Sequence, residues 1–467
     1  MNKTTLKNLI TDIRFWIIFF FLIRLIGITN APLEITHNWR QALTNMMGRN
    51  FLEIDHHILY PRIDMAGNKT GILGSEFPLF SYLIYLVSAV FDYSHWYGRL
   101  INLIVSSLGL FYFFKLIRDL FNQRIAFNAT IVLSVSIWFA YSRKIMPDTF
   151  SVALMIIGLH YALQYILSGK YKHLIWFFLF STIGMLAKIP ALSLLSILGV
   201  VLYDKKVTIK RKANVLTVAA ISFLFAVLWY FVWVPYLLKT YGFQLYFPKT
   251  LMEGINEIKP YIPELLDRFY FSSLQSYVAF LAFLAGLFFF IKKESQIAKL
   301  GLVIVLFVFG VFIIKTGNIF PLHNYYVIPF TPVMALMAGY FLSKIPVKYQ
   351  YIVLVLIAVE SIANQQHDFF IRESQKYKLN LENILNEQNP EKELIIINGG
   401  SSPQDMYFAH QKGWSVENEL VQNKSKIDSL YQLGARYIVL DRARLDQNLS
   451  EEELIYSDEH YFVFKIK

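Results

Sequence analysis

The polar residues between positions 30 and 80 have types and spacing that suit an enzyme site. They fall in three dense runs, HNWRQ at 37–41, YPRID at 60–64 and EFPL at 76–79. Carboxylates serve as general bases, and cationic side chains stabilise negative charge such as that of a phosphate group. This mixture predicts a reaction that needs a general base and a clamp for phosphate charge.

Further candidates lie near the ends of apolar segments later in the chain. Ionisable groups next to hydrocarbon are costly, so each of them carries a functional hypothesis. The nine ionisable candidates are His37, Arg40, Asp55, Asp64, Glu76, Arg143, Asp148, Lys188 and His323. Tyr325 and Tyr326 follow the last of these, where an aromatic interface belt is the alternative and the better explanation for Tyr326.

Ordinary structural explanations compete with these functional ones, and residue types alone leave both open. Asp148 begins a helix, where a carboxylate caps free N–H groups. Glu76 immediately precedes an apolar helix, where it compensates the helix dipole. Asp64 suits a turn, Lys188 suits a lysine that extends toward water, and His37 suits a helix start.

The composition indicates a polytopic α-helical membrane protein. Of 467 residues, 55% are hydrophobic and only 16% are charged, whereas soluble domains carry about 25% charged residues. Apolar runs long enough to cross a bilayer recur along the chain. There is no cysteine, which excludes disulfides, thiolate metal sites and cysteine nucleophiles.

The basic residues predict how the chain crosses the membrane. If every apolar run crosses, the basic turn at 115–124 faces outside, against the positive-inside rule. If 76–92 is instead an interfacial or re-entrant helix, the basic clusters from Lys3 and Lys7 onward all lie inside. We therefore expect about eleven spans, a cytoplasmic N-terminus and an extracytoplasmic C-terminus, with the ionisable candidates converging on one outer cavity.

Two domains are predicted, a membrane part at 1–369 and a small α/β part at 370–467. The membrane part has a first outer loop at 30–97 and a second, amphipathic one at 237–270. In the small domain the patterns predict strands at 394–398, 437–440 and 461–466 and helices at 402–411 and 424–433, the second capped by Gly434.

Signature motifs of several enzyme classes are absent from the sequence. The chain has no DxD pair, no HExxH, no glycine-rich phosphate loop and no GxSxG. An enzyme that binds a nucleotide-sugar diphosphate through a metal ion usually needs the first of these. The sequence therefore favours a lipid-linked donor, and we expect no metal and no other cofactor.

At this point the chain resembles a known family, the bacterial GT-C glycosyltransferases of family 39. This is the RgtA/B/C/D-like group, related to protein O-mannosyltransferases and the lipid A aminoarabinose transferase. The resemblance covers about residues 10–365. It rests on the long first outer loop, the basic turn at 115–124, the turn from Ser142-Arg143 to Pro147-Asp148, and Lys188-Ile189-Pro190. Trp39-Arg40-Gln41 with Arg49-Asn50, and EFPL at 76–79, resemble one subgroup.

This resemblance implies an activity and a location. Family members transfer a sugar from a polyprenyl-phosphate donor to an acceptor on the outer face of the membrane. For this chain we expect the transfer to invert the anomeric carbon. We expect the same reaction at a bacterial inner (cytoplasmic) membrane. The acceptor would be a cell-envelope glycan such as lipopolysaccharide, a lipid or a protein.

The residue roles follow from the resemblance, with one departure. The usual Asp-Glu pair falls on Arg40-Gln41, and a usual lysine falls on Glu76. The charges are swapped, which preserves a potential ion pair but removes the expected base. The resemblance thus leaves Asp64 or Glu76 as base and Asp148 to orient the acceptor. The predicted phosphate-binding residues are Arg40, Arg143 and Lys188. Further predicted substrate-binding residues are His37, Trp39, Gln41, His323 and Tyr325.

Two other classes of function compete with the transferase. A transporter or flippase for lipid-linked glycans would show inverted repeats and polar residues at mid-span. No repeat is visible here, and the ionisable groups gather near one face. An inactive relative that acts as a scaffold is the third hypothesis, because the usual acidic pair is replaced.

Overall fold

The computed structural model describes residues 10–243 and 249–467, so the basic Lys3 and Lys7 and part of the predicted loop at 237–270 lie outside the described residues. The chain forms two compact units. The membrane unit is built from the described parts of Met1–Ile28, Arg99–Val232 and Tyr246–Phe369. The loop–tail unit is built from the described parts of Thr29–Gly98, Trp233–Leu245 and Phe370–Lys467. Residues 29–98 thus fold with the tail, an association that the two predicted domains did not anticipate.

Helices make up the membrane unit. Its longer helices are Ile13–Arg24, Tyr97–Leu120, Gln123–Val135, Pro147–Ser168, Lys172–Ala187, Ile209–Leu228, Tyr277–Lys293, Gln296–Thr316, Thr331–Leu342 and Val347–Gln365. Its short helical segments are Trp138–Tyr141, Ile189–Ala191, Leu192–Leu195, Ser196–Leu202, Trp229–Trp233, Leu251–Ile258, Lys259–Tyr261, Ile262–Asp267, Arg268–Ser272, Ile319–Leu322, Asn324–Val327 and Gln366–Phe369.

Local sequence sets where these helices begin and end. The side chain of Asn122 accepts a hydrogen bond from the Ile125 N–H and so caps the helix that follows it. Pro147 occupies the first turn of the helix Pro147–Ser168, where its missing N–H costs nothing. Gly169 ends that helix with φ of 72°, a conformation that glycine adopts readily.

Fewer helices are long and apolar enough to span a membrane than the predicted number of about eleven. In the described part of the chain, five helices are long and apolar enough to cross, or six if a bent pair forms one span. That pair, Leu251–Ser272 and Tyr277–Lys293, bends by 91°. The predicted number of about eleven spans also relied on shorter apolar helices. Among these, Leu79–Phe91 has 13 residues, whereas a span needs about 20 residues, which is consistent with its predicted non-spanning role.

Five strands and short helices form the loop–tail unit. The helices are Asn38–Glu53, Leu79–Phe91, Val234–Tyr241, Glu373–Asn380, Leu381–Gln388, Gln404–Ala409, Asn418–Val421 and Lys424–Gln432. The strands are β1 Leu394–Ile397, β2 Gly413–Ser415, β3 Ala435–Asp441, β4 Glu453–Ser457 and β5 Tyr461–Lys465. The three predicted strands and both predicted tail helices are confirmed, and Gly434 has φ of 105° at the end of the second helix.

The sheet is mixed, with strand order β2-β1-β3-β5-β4. β1 runs parallel to β2 and β3, and β5 runs antiparallel to β3 and β4. Side chains alternate between its faces, so Ile395 and Ile397 belong to one apolar cluster and Ile396 to another. Sequence patterns missed β2 and β4, because β2 has only three residues and β4 is a half-exposed edge strand.

One face of this sheet shares its core with the long loop near the start of the chain. Leu33, Leu43 and Met46 lie in the same buried cluster as Ile397 and Tyr407. Glu34 forms an isolated antiparallel bridge with Ile371, which adds a backbone link between the same segments. The loop therefore acquires a hydrophobic core only together with the tail.

Close helix packing in the membrane unit generates a stability prediction. A Cβ at Gly286 would collide with the backbone carbonyl of Met337 on the neighbouring helix, whereas a Cβ at Gly310 would meet nothing within 4 Å. Glycine at such a contact lets two helix backbones approach closely. We expect Gly286→Ala to lower the free energy of unfolding by about 1–3 kcal/mol through overpacking.

The matched control is Gly310→Ala, which makes the same chemical change in an open position. It should leave stability within about 0.5 kcal/mol of the parent protein. The measurement is the thermal unfolding midpoint of each purified variant in detergent. Equal midpoints for the two variants would contradict this account of the helix contact.

Candidate functional site

The swapped charges of the first loop form an ion pair. Arg40, on the first turn of the helix Asn38–Glu53, pairs with the carboxylate of Glu76. The Arg40 side chain is 9% exposed and that of Glu76 is 19% exposed. The ion pair that the sequence allowed is therefore present, and its carboxylate keeps some access to solvent.

A second carboxylate, Glu34, lies beside the same helix turn. The Gln41 side-chain amide donates to Glu34 Oε2 at 3.1 Å, and both residues are fully buried. His37 precedes the helix in the left-handed conformation, with φ of 57°. Trp39 packs on the apolar cluster that the loop shares with the tail. The run at 37–41 thus supplies one member of a buried polar pair, Gln41, and an aromatic ring, Trp39, that packs on the apolar cluster.

Asp64 is held on both of its carboxylate oxygens. Arg49 Nη2 donates to Oδ2 at 3.0 Å and Asn50 Nδ2 donates to Oδ1 at 2.7 Å. Arg49 also donates to the Tyr407 carbonyl at 3.1 Å, and its guanidinium lies 4.9 Å from the Tyr407 ring centre. Only 6% of Asp64 is exposed, so its carboxylate is buried and bonded on both oxygens, and its role as the base stays a prediction.

Tyr407 is the centre of this buried network. Its hydroxyl lies 2.6 Å from the Tyr93 hydroxyl and 2.5 Å from His95 Nδ1. Burial raises the pKa of Tyr407 to about 12, so it stays protonated at neutral pH. The network fixes the side chain of Arg49, and through it Asp64.

In the membrane unit, Lys188 and Asp148 form a buried ion pair. Lys188 Nζ lies 2.6 Å from Asp148 Oδ1, and their side chains are 13% and 4% exposed. Among the described residues, Asp148 Oδ2 is buried without a hydrogen-bond partner. Asp148 therefore offers an acceptor atom that a substrate hydroxyl could satisfy.

Aromatic rings surround the lysine of this pair. Lys188 Nζ lies 4.7 Å from the Tyr325 ring centre and 5.4 Å from that of Tyr326. The His323 ring stacks on Tyr325 at 5.5 Å. The structure brings four predicted site residues of this unit together: Asp148, Lys188, His323 and Tyr325. It also adds Tyr326, for which a belt role was the better sequence-based explanation.

Arg143 lies among other buried cations of the membrane unit. Its guanidinium donates to the Ile26 carbonyl at 2.6 Å and lies 4.0 Å from the centre of the Phe369 ring. The adjacent Lys144 forms a buried ion pair with Asp368 at 2.9 Å. Arg143 stacks on a ring and bonds a carbonyl, so its predicted phosphate contact stays a prediction.

Several residues of these networks escaped the sequence analysis. Glu34, Tyr407 and Asp368 were missed, although Glu34 carries a weak signal as an acid three residues before His37. Asp55 was singled out, and it forms a partly exposed pair with Arg62 at 2.7 Å. The Arg62 carbonyl accepts a hydrogen bond from Asn50, which also bonds Asp64. Within 10–243 and 249–467, no group of three or more His, Asp or Glu side chains is arranged to hold a metal ion.

Known structures share this architecture along almost the whole chain. ArnT from Cupriavidus metallidurans, crystallised with undecaprenyl phosphate, superposes with a TM-score of 0.63 and 12% identity over 96% of this chain and 98% of ArnT. The archaeal oligosaccharyltransferase AglB from Archaeoglobus fulgidus, in complex with an inhibitory peptide and a dolichol-phosphate, gives 0.59 and 12% over 92% of this chain and 69% of AglB. The chain has the GT-C glycosyltransferase fold.

A sequence model agrees with this fold. Residues 75–231 match the family described as dolichyl-phosphate-mannose-protein mannosyltransferase. The matched segment begins next to Glu76 and includes Asp148 and Lys188. No curated protein sequence matches the chain. The GT-C fold predicted with the resemblance is confirmed, and the chain is a multi-pass membrane protein with a small C-terminal sheet.

The contacts on both Asp64 oxygens give a stability prediction. Asp64→Asn leaves the buried Arg49 charge without its counter-charge, which we expect to cost about 3–5 kcal/mol. Asp55→Asn is the matched control, since it removes the same charge from a partly exposed aspartate–arginine pair and should cost about 0–1 kcal/mol. Thermal unfolding of both variants measures the difference. A stable Asp64→Asn protein that has lost only activity would instead favour Asp64 as the base.

Proposed function

We propose that the protein is an integral-membrane glycosyltransferase that uses a polyprenyl-phosphate sugar as donor. The acceptor would be a hydroxyl group of a cell-envelope glycan, lipid or protein, at the outer face of the inner membrane. The observation that carries the proposal is the likeness of nearly the whole chain to a protein crystallised with undecaprenyl phosphate. The cation–carboxylate pair Arg40–Glu76 in the loop–tail unit and the pair Lys188–Asp148 in the membrane unit have the chemical types that such a reaction uses.

The reaction is a displacement at the anomeric carbon. The acceptor oxygen forms a bond to that carbon while the bond from the carbon to the phosphate oxygen breaks. The polyprenyl phosphate leaves with the bonding electrons, and a protein base accepts the hydroxyl proton. Attack from the face opposite the leaving phosphate inverts the configuration.

Glu76 is the base that the geometry favours in the loop–tail unit. A general base must reach the proton that it accepts. Of the two carboxylates predicted for this role, Asp64 is engaged on both oxygens, whereas the Glu76 side chain keeps 19% exposure. Arg40 orients Glu76 through their ion pair.

Lys188 is the phosphate contact that the geometry favours in the membrane unit. It is a compact cation in a partly buried position, where charge interactions are stronger than in water. Its neighbour Asp148 holds it in place and keeps Oδ2 for a second contact, which suits the role of orienting the acceptor. Tyr325 and Tyr326 provide an aromatic wall for the lysine.

Replacement of Glu76 tests the base. We expect Glu76→Gln to lower the rate of sugar transfer about 10²–10⁴-fold, because the amide cannot accept the proton. Binding of the polyprenyl-phosphate donor should stay unchanged. Glu257→Gln is the matched control, since Glu257 pairs with Lys249 on a partly exposed surface. Full activity of Glu76→Gln, together with full activity of Asp148→Asn and Asp64→Asn, would refute the mechanism.

Replacement of Lys188 tests the phosphate contact. A hydrogen bond to a charged group contributes about 1.5–3 kcal/mol, so Lys188→Gln should raise the dissociation constant of undecaprenyl phosphate about 10–100-fold. The double variant Lys188→Gln/Asp148→Asn avoids an unpaired buried charge and should show the same loss of affinity. Lys170→Gln, on an exposed lysine, is the control. Unchanged affinity in the double variant would remove Lys188 from the site.

A further inference from the structure

His410 lies between two carboxylates that belong to different segments of the loop–tail unit. Its Nδ1 is 2.5 Å from Glu382 Oε1, and its Nε2 is 2.7 Å from Glu53 Oε2. Glu53 ends the helix Asn38–Glu53, and Glu382 lies in the first turn of the helix Leu381–Gln388. His410 itself follows the helix Gln404–Ala409, with φ of 49°. One imidazole thus joins three helices.

The chemistry of the ring makes this arrangement sensitive to protonation. A neutral imidazole carries one N–H, whereas the imidazolium carries two. A carboxylate accepts hydrogen bonds and donates none when ionised. Two short contacts to two carboxylates therefore require the charged ring. Loss of one proton from His410 leaves one nitrogen lone pair facing a carboxylate oxygen, which breaks that contact.

The surrounding charges act in both directions. Arg49 and burial both lower the pKa of His410, while Lys392 is a further cation close to Glu53 and Glu382. Although burial is the largest single influence, the hydrogen bonds from Glu382 and Glu53 prevail and raise the pKa of His410 above its usual value. The pKa values of both glutamates lie below their usual range, in part because His410 is bonded to them.

The helix held by His410 is the one that carries Arg40. Arg40 lies in its first turn and pairs with Glu76, and Arg49 near its end bonds the Tyr407 carbonyl, three residues before His410. Twelve of the residues on this helix are buried, so a change at its end is transmitted along a rigid, packed element. His410 can therefore influence the Arg40–Glu76 pair without contacting it.

We propose that His410 is a positioning residue that holds the helix Asn38–Glu53 against the tail when protonated, and so makes sugar transfer depend on pH. This inference rests on the proposed function for its effect on activity, whereas the clamp itself is independent of that function. The clamp consists of His410, Glu53 and Glu382. It makes the tail part of the machinery that positions the proposed base.

The direction of the pH effect follows from the raised pKa. Stability gained from a group whose pKa is raised on folding is fully present below the unfolded value, about 6.5 for histidine. It is lost as the pH rises through the folded pKa of His410. The clamp should therefore be closed in acidic medium and loosen in alkaline medium.

The absence of cysteine from the chain allows a direct measurement of the clamp. Ala42 is fully buried on the clamped helix, so a thiol introduced by Ala42→Cys reacts with a soluble maleimide only when the helix opens. Ser401→Cys, at an exposed position of the tail, corrects for the effect of pH on thiol reactivity. We expect the corrected labelling rate of Ala42→Cys to rise as the pH rises through the His410 transition, because the helix opens more often once the clamp is lost.

Three variants make the test specific to the clamp. In His410→Gln the corrected rate should be high and independent of pH, and in Glu382→Gln its pH dependence should shrink. His57→Gln, which changes an exposed histidine of the same unit, should behave as the parent protein. A corrected rate that is constant with pH in the parent, or an unchanged pH dependence in His410→Gln, would overturn the clamp. If His410→Gln does not fold, Glu382→Gln decides the same question.

The pH dependence of sugar transfer distinguishes a failure of the positioning role from a failure of the proposed function. Sugar transfer by the parent protein should fall on the alkaline side over the same pH interval in which labelling rises. His410→Gln should be slower at acidic pH and lack that alkaline fall. An active protein whose pH profile is the same in His410→Gln would overturn the positioning role. A clamp that behaves as expected in a protein without transfer at any pH would instead refute the proposed function.

Discussion

Burial of the helix Asn38–Glu53 against the sheet of the tail is the constraint on which the loop–tail unit depends. The helix is polar, yet most of its surface is covered, including Arg40, Gln41 and Arg49. A buried polar group costs about 1–3 kcal/mol unless it is hydrogen-bonded. Here the buried polar side chains of the helix have hydrogen-bond partners, and most of these partners belong to the tail or to the loop that follows the helix.

These partners explain why distant segments fold as one unit. Asn45 and Arg49 bond to Tyr407, which lies 362 and 358 residues away in the sequence. The apolar side chains beneath them form one cluster with β1, β3 and β5. Neither the loop nor the tail supplies a complete set of partners, so each depends on the other.

Charge pairing follows the same logic in the membrane unit. Lys188–Asp148 and Lys144–Asp368 are both buried pairs. An ion taken out of water must be compensated nearby, or its burial costs several kcal/mol. Conversely, a site that holds paired charges in a low-dielectric setting interacts strongly with an incoming phosphate. At Lys188–Asp148 the energetic constraint and the proposed chemistry therefore involve the same residues.

Sequence reasoning reached the features that depend on local pattern. Apolar runs predicted the helical membrane class, and strand patterns predicted β1, β3 and β5. The potential Arg40–Glu76 pair came from the family resemblance. Sequence reasoning failed where distant segments meet. Nothing in the sequence near Asp64 shows that both of its carboxylate oxygens accept hydrogen bonds. Nothing in the sequence near Glu53 predicts its contact with His410. The three-residue strand β2 is too short to produce a periodic signal at all.

The measurement that tests the central claim most directly follows the fate of a labelled sugar. Purified protein in liposomes receives a polyprenyl-phosphate donor with a labelled sugar, together with a membrane extract as the source of acceptor, and mass spectrometry identifies the labelled products. The account predicts free polyprenyl phosphate and a labelled acceptor, formed in equal amounts. A donor that crosses the bilayer with its sugar still attached would contradict a transferase and identify a transporter.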